Sequence, residues 1–206
     1  MQSIENRKKE LVTISLMLSE IANTLNTENI ELLTSYSYPR IYGHFEKYIE
    51  IAFLKILETI LDSDIELKQI KIEICYYFLF VFFNDCSYAT FFNKNISLKK
   101  TTQLNKNKII SYTKDMNIGY SFNTYLIKLI KTSNDEDLNN KIEDLKIKIG
   151  MITKKYKARC DLAHGHMEYD PISLTDLCSF KEIVLKTLDL IKEITDIYLE
   201  KKYYLN

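Results

Sequence analysis

Only two prolines, Pro39 and Pro171, and four glycines interrupt a chain of 206 residues. These residue types ordinarily break regular structure, so their scarcity leaves few places where a helix must stop. Long helices are the first expectation, and the apolar spacing agrees. Over Ser3 to Asn26, the residues Ile4, Leu11, Ile14, Leu18, Ile21 and Leu25 recur at helical intervals. Pro39 suits the first turn of a second helix running to about Leu61, with Tyr42, Phe45, Ile49, Phe53, Ile56 and Ile60 on one side. Arg40, His44, Glu46, Lys47 and Glu50 supply polar groups near its start.

A third helix is expected over about Ile65 to Ala89. Its Cys75 to Phe83 run is apolar all round, which marks a central core element or a buried interface. A strand would also fit that short aromatic run, but its flanks continue without turn residues, which favours helix. Asn93 to Gly119 reads as a long loop, and Ser121 to Thr132 as a short helix. Ser133 or Asn134 is placed to cap a long helix with Asp135, Glu136 and Asp137 in its first turn. Its stripe is Ile142, Leu145, Ile149, Ile152 and Tyr156. After Pro171, Ser173 to Asp176 resembles a capping box. It opens a last helix through Leu177, Phe180, Val184, Leu188, Ile191, Ile194 and Tyr198. The chain shows no internal repeat. The expected architecture is an all-α helical bundle forming one domain over residues 1–206.

Hydrophobic residues make up 46% and charged residues 27%, which excludes a disordered chain. Lysine plus arginine and aspartate plus glutamate each number 28, so the net charge is zero and coating nucleic acid by bulk charge is excluded. Charge is uneven locally. No acid interrupts Cys86 to Lys114 or Leu145 to Arg159, and the second run holds Lys146, Lys148, Lys154, Lys155 and Lys157. The four cysteines form no CxxC pair, and the polar Met1 to Lys9 does not look like a signal peptide. Reduced thiols and a cytoplasmic location are therefore expected. The most apolar run, Ile74 to Phe83, falls short of the roughly 20 residues that cross a bilayer, so no membrane association is expected.

Chemistry concentrates in Lys157 to His166. This decapeptide holds one of three arginines (Arg7, Arg40, Arg159) and two of three histidines (His44, His164, His166). A chain that takes most of its positive charge from lysine keeps arginine where a planar, two-pronged cation is needed, most often for phosphate. Histidine adds a side chain that exchanges protons near neutral pH. Extending the preceding stripe at about 100° per residue puts Ala163 on the stripe and Arg159 and His164 on its two edges, about 7.5 Å apart along the axis. Gly165 suits a helix C-terminus, where the dipole favours a protonated His164. Other readings stay open. Arg159 could pair with Asp161 while His164 satisfies a helix end. Cys160, His164 and His166 could bind zinc, but no fourth ligand is evident nearby. Arg40 and His44 form a second pair, read as supporting or structural. No Gly-rich phosphate loop, Ser-His-Asp order or paired carboxylates stand out.

Arg159-Cys160-Asp161-Leu162-Ala163-His164-Gly165 resembles the "RNDLAHG" signature of HEPN domains, an all-α superfamily that includes many bacterial ribonucleases. Tyr42 to Tyr48, with Glu46, resembles the early helix of a bacterial HEPN-like nuclease branch. Order and separation of the two segments match, and the resemblance covers most of the chain. It implies a metal-independent endoribonuclease without cofactors, working as a homodimer whose two motifs face each other. Arg159 and His164 would be catalytic, with Asp161, Glu46 and His166 supporting and Lys154, Lys155 and Lys157 on the RNA. It further implies a toxin or antiphage-defence effector, with an antitoxin or neighbouring defence protein as partner. Cys160 departs from the pattern, because the position after the arginine is usually Asn or another polar residue. That departure keeps two alternatives in view: a non-catalytic module binding RNA or nucleotide, and a helical dimerisation or adaptor protein.

Overall fold

A computed structural model describes residues 2–22, 24–63, 65, 69–71, 135–155, 160 and 172–206. Among them are four α-helices: α1 (Gln2–Ala22), α2 (Thr27–Asp62), α3 (Glu136–Thr153) and α4 (Leu174–Glu200). The all-α expectation holds. The chain divides into two compact units, Met1–Tyr48 with Glu143–Ile191 and Ile49–Ile142 with Lys192–Asn206.

The first unit buries one stripe from each helix. Leu11 and Leu18 come from α1, Tyr38, Ile41, Tyr42, Phe45 and Tyr48 from α2. Leu145, Ile149 and Ile152 come from α3, and Leu177, Phe180, Val184, Leu188 and Ile191 from α4. Burying each such side chain contributes about 1.5–3 kcal/mol relative to exposure. Tyr38 stacks on Phe180 with ring centroids 4.4 Å apart. Burial pushes the Tyr38 phenol well above its ordinary value, and its OH has no partner among the described residues.

In the second unit, α2 buries Ile49, Ala52, Phe53, Ile56, Leu57, Ile60 and Leu61. Ile70, Leu138, Ile142, Ile194, Tyr198 and Tyr204 are buried in the same unit. Lys55 bridges to Asp196 at 2.5 Å, which also takes Lys192 at 3.3 Å. The chain after α4 closes in a Schellman arrangement. Tyr203 N donates to Tyr198 O and Lys202 N to Leu199 O, with Lys202 at φ 52° where glycine is usual.

Several boundaries differ from the sequence expectation. Pro39 lies inside α2, not at its start, so one helix of 36 residues replaces a shorter one. An internal proline costs about 3 kcal/mol against alanine. The buried Tyr38, Ile41 and Tyr42 on either side offset that cost. Asn26 is the N-cap of α2 and not the end of α1: its Oδ1 accepts from Asn29 N at 2.9 Å. Asp135, one or two residues later than expected, caps α3 by accepting from Leu138 N at 3.0 Å. The same carboxylate takes Lys201 at 2.5 Å and the Tyr203 hydroxyl at 2.8 Å. Ser173 caps α4 as expected, accepting from Asp176 N at 3.0 Å and donating to the Asp176 carboxylate at 2.6 Å.

The expected third helix does not begin at Ile65. Gln69, Ile70 and Lys71 are not α-helical; Ile70 forms an antiparallel bridge with Leu205. The rest of that segment, the Asn93 to Gly119 loop and the Ser121 to Thr132 helix lie outside the described residues.

Candidate functional site

The approach to the Arg-His motif is set by the end of α3. Lys154 N still donates to Gly150 O in helical register at 3.1 Å, but Lys155 N turns to Ile152 O at 3.1 Å. The Thr153 hydroxyl also takes Gly150 O, at 3.3 Å. This tightened turn ends α3 at Thr153, short of the decapeptide. Extending the stripe of α3 into the motif therefore crosses a helix end, and the placement of Arg159 and His164 on its two edges loses its basis. Cys160 is itself helical, half-buried and outside any disulfide.

Lys154 and Lys155 are exposed in that turn and make no ion pair among the described residues. Lys146 and Lys148 differ, because they pair on their own helix with Glu143 and Asp144. The basic run is thus partly neutralised before it reaches the motif. Glu46 is half-buried on α2, in the same unit as Lys154, Lys155 and Cys160. Arg159, Asp161, His164, His166 and Lys157 lie outside the described residues, and so do two of the three ligands of the zinc alternative. No group of three His, Cys, Asp or Glu side chains among the described residues could hold a metal ion.

A second polar constellation joins α1 to α2. Arg40 Nε donates to Glu10 Oε1 at 3.0 Å, and its Nη2 reaches the same oxygen. His44 Nε2 lies 3.6 Å from that oxygen. On the other side of the ring, Arg7 Nη1 lies 3.4 Å from His44 Nδ1. An arginine can only donate, so Nδ1 must be bare and the ring proton sits on Nε2, toward Glu10. His44 is 6% exposed. Burial, and secondarily the two arginines, hold its pKa below the ordinary value, while Glu10 pulls the other way. The Arg40 hydrogen bond holds the Glu10 carboxyl below its ordinary range. Arg7 Nε is buried without a partner among the described residues.

The sequence reading named Arg40 and His44 and read them as supporting or structural. A neutral, buried imidazole locked between two helices fits that role and does not suit direct proton exchange with a substrate. Arg7 and Glu10 were missed. The signal available in the sequence is the rarity of arginine, which singles out Arg7 and Arg40 as much as Arg159, together with the i,i+3 spacing of Arg7 and Glu10 on α1.

The described helices define an all-α class of protein. A family model described as HEPN_MAE_28990-like HEPN matches residues 1–204. The chain belongs to this HEPN family. HEPN domains are commonly ribonucleases or nucleotide-binding modules. No curated protein and no solved structure matches the chain. No helix among the described residues is long and apolar enough to cross a membrane.

Proposed function

We propose that this chain is a metal-independent endoribonuclease, acting in the cytoplasm as a toxin or antiphage-defence effector. The observation that carries the reading is that the family match runs over residues 1–204, the span in which the sequence Arg159-x4-His164 lies. In this reading a neutral His164 takes the proton from a ribose 2′-OH, which attacks the adjacent phosphorus. Arg159 stabilises the charge that develops on the phosphoryl oxygens. A protonated His164 from a second copy donates to the departing 5′-oxygen. The products are a 2′,3′-cyclic phosphate and a 5′-hydroxyl, and no step calls on a metal or cofactor. Asp161, Glu46 and His166 support the site, and Lys154, Lys155 and Lys157 hold the RNA.

A homodimer supplies the two histidines at opposite sides of one phosphorus. Support for an interface comes from exposed apolar pairs one turn apart: Val12 and Leu16 on α1, Leu32 and Tyr36 on α2, Ile147 and Met151 on α3. All belong to the unit that holds Lys154 and Lys155. An antitoxin or neighbouring defence protein is the further partner proposed.

The second reading, a non-catalytic module that binds RNA or nucleotide, is favoured by Cys160, a half-buried thiol where the family usually has a polar residue. One experiment separates the two. Purified wild type, Arg159→Ala and His164→Ala are incubated with RNA in EDTA, and the ends of the fragments are identified. Cleavage by wild type alone, leaving cyclic-phosphate ends, supports the ribonuclease. Binding without cleavage in all three supports the module. Dependence on zinc or magnesium would overturn the mechanism.

A further inference from the structure

Helix α1 uses one side of itself within its own unit and leaves the other side open. Leu11 and Leu18 are buried. Around them Arg7 reaches His44 and Glu10 takes Arg40, both on α2. Lys8 bridges to Asp189, and Ser15 accepts from Lys181 at 3.0 Å, both on α4. All these residues belong to the same compact unit. At about 100° per residue, Lys9, Val12, Thr13, Leu16, Met17 and Glu20 fall on the opposite side, and each of them is exposed. The outer face of a helix is ordinarily polar. Here Leu11 to Ser19 carries no charge, and Val12, Leu16 and Met17 are 43%, 58% and 54% exposed. An apolar patch with a polar rim marks a contact with another protein surface.

The two ends of this stripe carry opposite charges. Lys9 and Glu20 are in no ion pair among the described residues. They lie equally far from a point midway between Thr13 and Leu16, and so do Val12 and Met17. A two-fold axis through that point lays a second α1 antiparallel across the first. Val12 then meets the partner's Met17, Thr13 the partner's Leu16, and each Lys9 the partner's Glu20. A parallel pairing instead sets lysine against lysine and glutamate against glutamate. The other exposed apolar pairs have no such free ends. Near Tyr36 on α2, Arg40 is held by Glu10, and near Ile147 on α3, Lys146 and Lys148 are held by Glu143 and Asp144.

We propose that the outer face of α1 is a contact between two copies of this chain, packed antiparallel about a two-fold axis, with a Lys9–Glu20 pair at each end. The inference rests on the homodimer reading and does not depend on cleavage. A two-fold contact brings the same patch from both copies together and must be self-complementary, which the inverted order of charges along the stripe satisfies. Few residues take part from each side, against roughly 20–30 in a standard interface. The contact is therefore weak and reversible by dilution. Exposed ion pairs are individually weak, but symmetry doubles each change, since reversing one charge turns two attractions into two repulsions. About a tenfold rise in Kd is expected from such a reversal.

The test is sedimentation equilibrium of the full-length chain at low salt, over a range of concentrations, with circular dichroism confirming that each variant is folded. It compares wild type, Leu16→Glu, Lys9→Glu, Glu20→Lys and the double variant Lys9→Glu/Glu20→Lys, with Leu16→Ala as the alternative should Leu16→Glu not fold. The expected result is a reversible wild-type dimer, no dimer in Leu16→Glu, and a Kd about tenfold higher in each single charge reversal. The double variant restores opposite charges at both ends, so its Kd should return to within about twofold of wild type. A wild-type dimer that none of these substitutions weakens overturns the α1 contact and leaves the homodimer standing on another face. Weakening by Leu16→Glu with no recovery in the double variant overturns the antiparallel pairing. A wild type that stays monomeric at every concentration overturns both the contact and the homodimer, and leaves the stripe to a different protein.

Discussion

Arg7 on α1 donates to the ring of His44 on α2, across 37 positions of sequence, and so fixes which nitrogen of the imidazole carries the proton. The folded protein accepts a proton at His44 less readily than the unfolded chain, because burial and the two arginines lower its pKa from the ordinary 6.5. Below 6.5 the unfolded state therefore binds more protons than the folded state, and stability rises with pH there. The His44 contribution is complete above 6.5 and is lost as pH falls from 6.5 toward the folded value. Thermal unfolding of wild type and His44→Gln between pH 5 and 8 should show a wild-type Tm that drops on acidification more steeply than the variant's. Parallel profiles would show that the ring is not held neutral.

Asp135 is expected to matter in acid. Its carboxyl is held well below the ordinary 3.8, first by the Lys201 hydrogen bond and then by Leu138 N–H and Tyr203. A depressed carboxyl contributes stability above 3.8 and loses it as pH falls from there toward the folded value. Asp135→Asn keeps a capping oxygen but removes the charge. Wild type should unfold at higher temperature than the variant near neutral pH, and this margin should shrink as pH falls below 3.8. A margin independent of pH would assign the effect to something other than the charge.

Pro39 forgoes one hydrogen bond inside a 36-residue helix. Replacing it by alanine should stabilise the protein by up to about 3 kcal/mol, reduced by the greater freedom of the unfolded chain. Urea unfolding measures the difference. A loss of stability would mean that α2 is shaped around the ring.

Arg159→Lys keeps the charge and loses the planar fork. Cleavage should fall about a hundredfold, comparable to removing one oxyanion donor. RNA fragment analysis at matched protein concentration measures it, and near-normal cleavage would show that charge alone suffices.

The stripes of α3 and α4 were legible in one dimension because each buries a single face. Leu145, Ile149 and Ile152 are buried as spaced, and so is every residue from Leu177 to Tyr198 that the period selected. Ends were less legible, since Asn26, Asp135 and Pro39 each suit more than one place near a helix start. Tertiary burial decided Pro39, and side-chain hydrogen bonds decided the two caps. The Arg159-x4-His164 pattern can be noticed in the sequence because its residues lie close together, and its role belongs to the proposed function. The Arg7–Glu10–Arg40–His44 network was not legible, because it forms only when α1 and α2 come together. Likewise, nothing near Thr34 in sequence announces that its hydroxyl will donate to the main-chain oxygen of Ile172, 138 positions away.

The pairing of Lys146 with Glu143 and of Lys148 with Asp144 also bears on counterions. A cation already balanced by its own helix carries little excess charge, so bringing it to a phosphate displaces few ions from the RNA. With single-stranded RNA the binding constant falls with salt by a logarithmic slope of about 0.7 per neutralised phosphate. Lys146, Lys148, Lys154 and Lys155 acting together would contribute a slope of about −2.8, whereas Lys154 and Lys155 alone contribute about −1.4. In the ribonuclease reading proposed above, this end of α3 would therefore contribute only a shallow dependence of RNA binding on ionic strength.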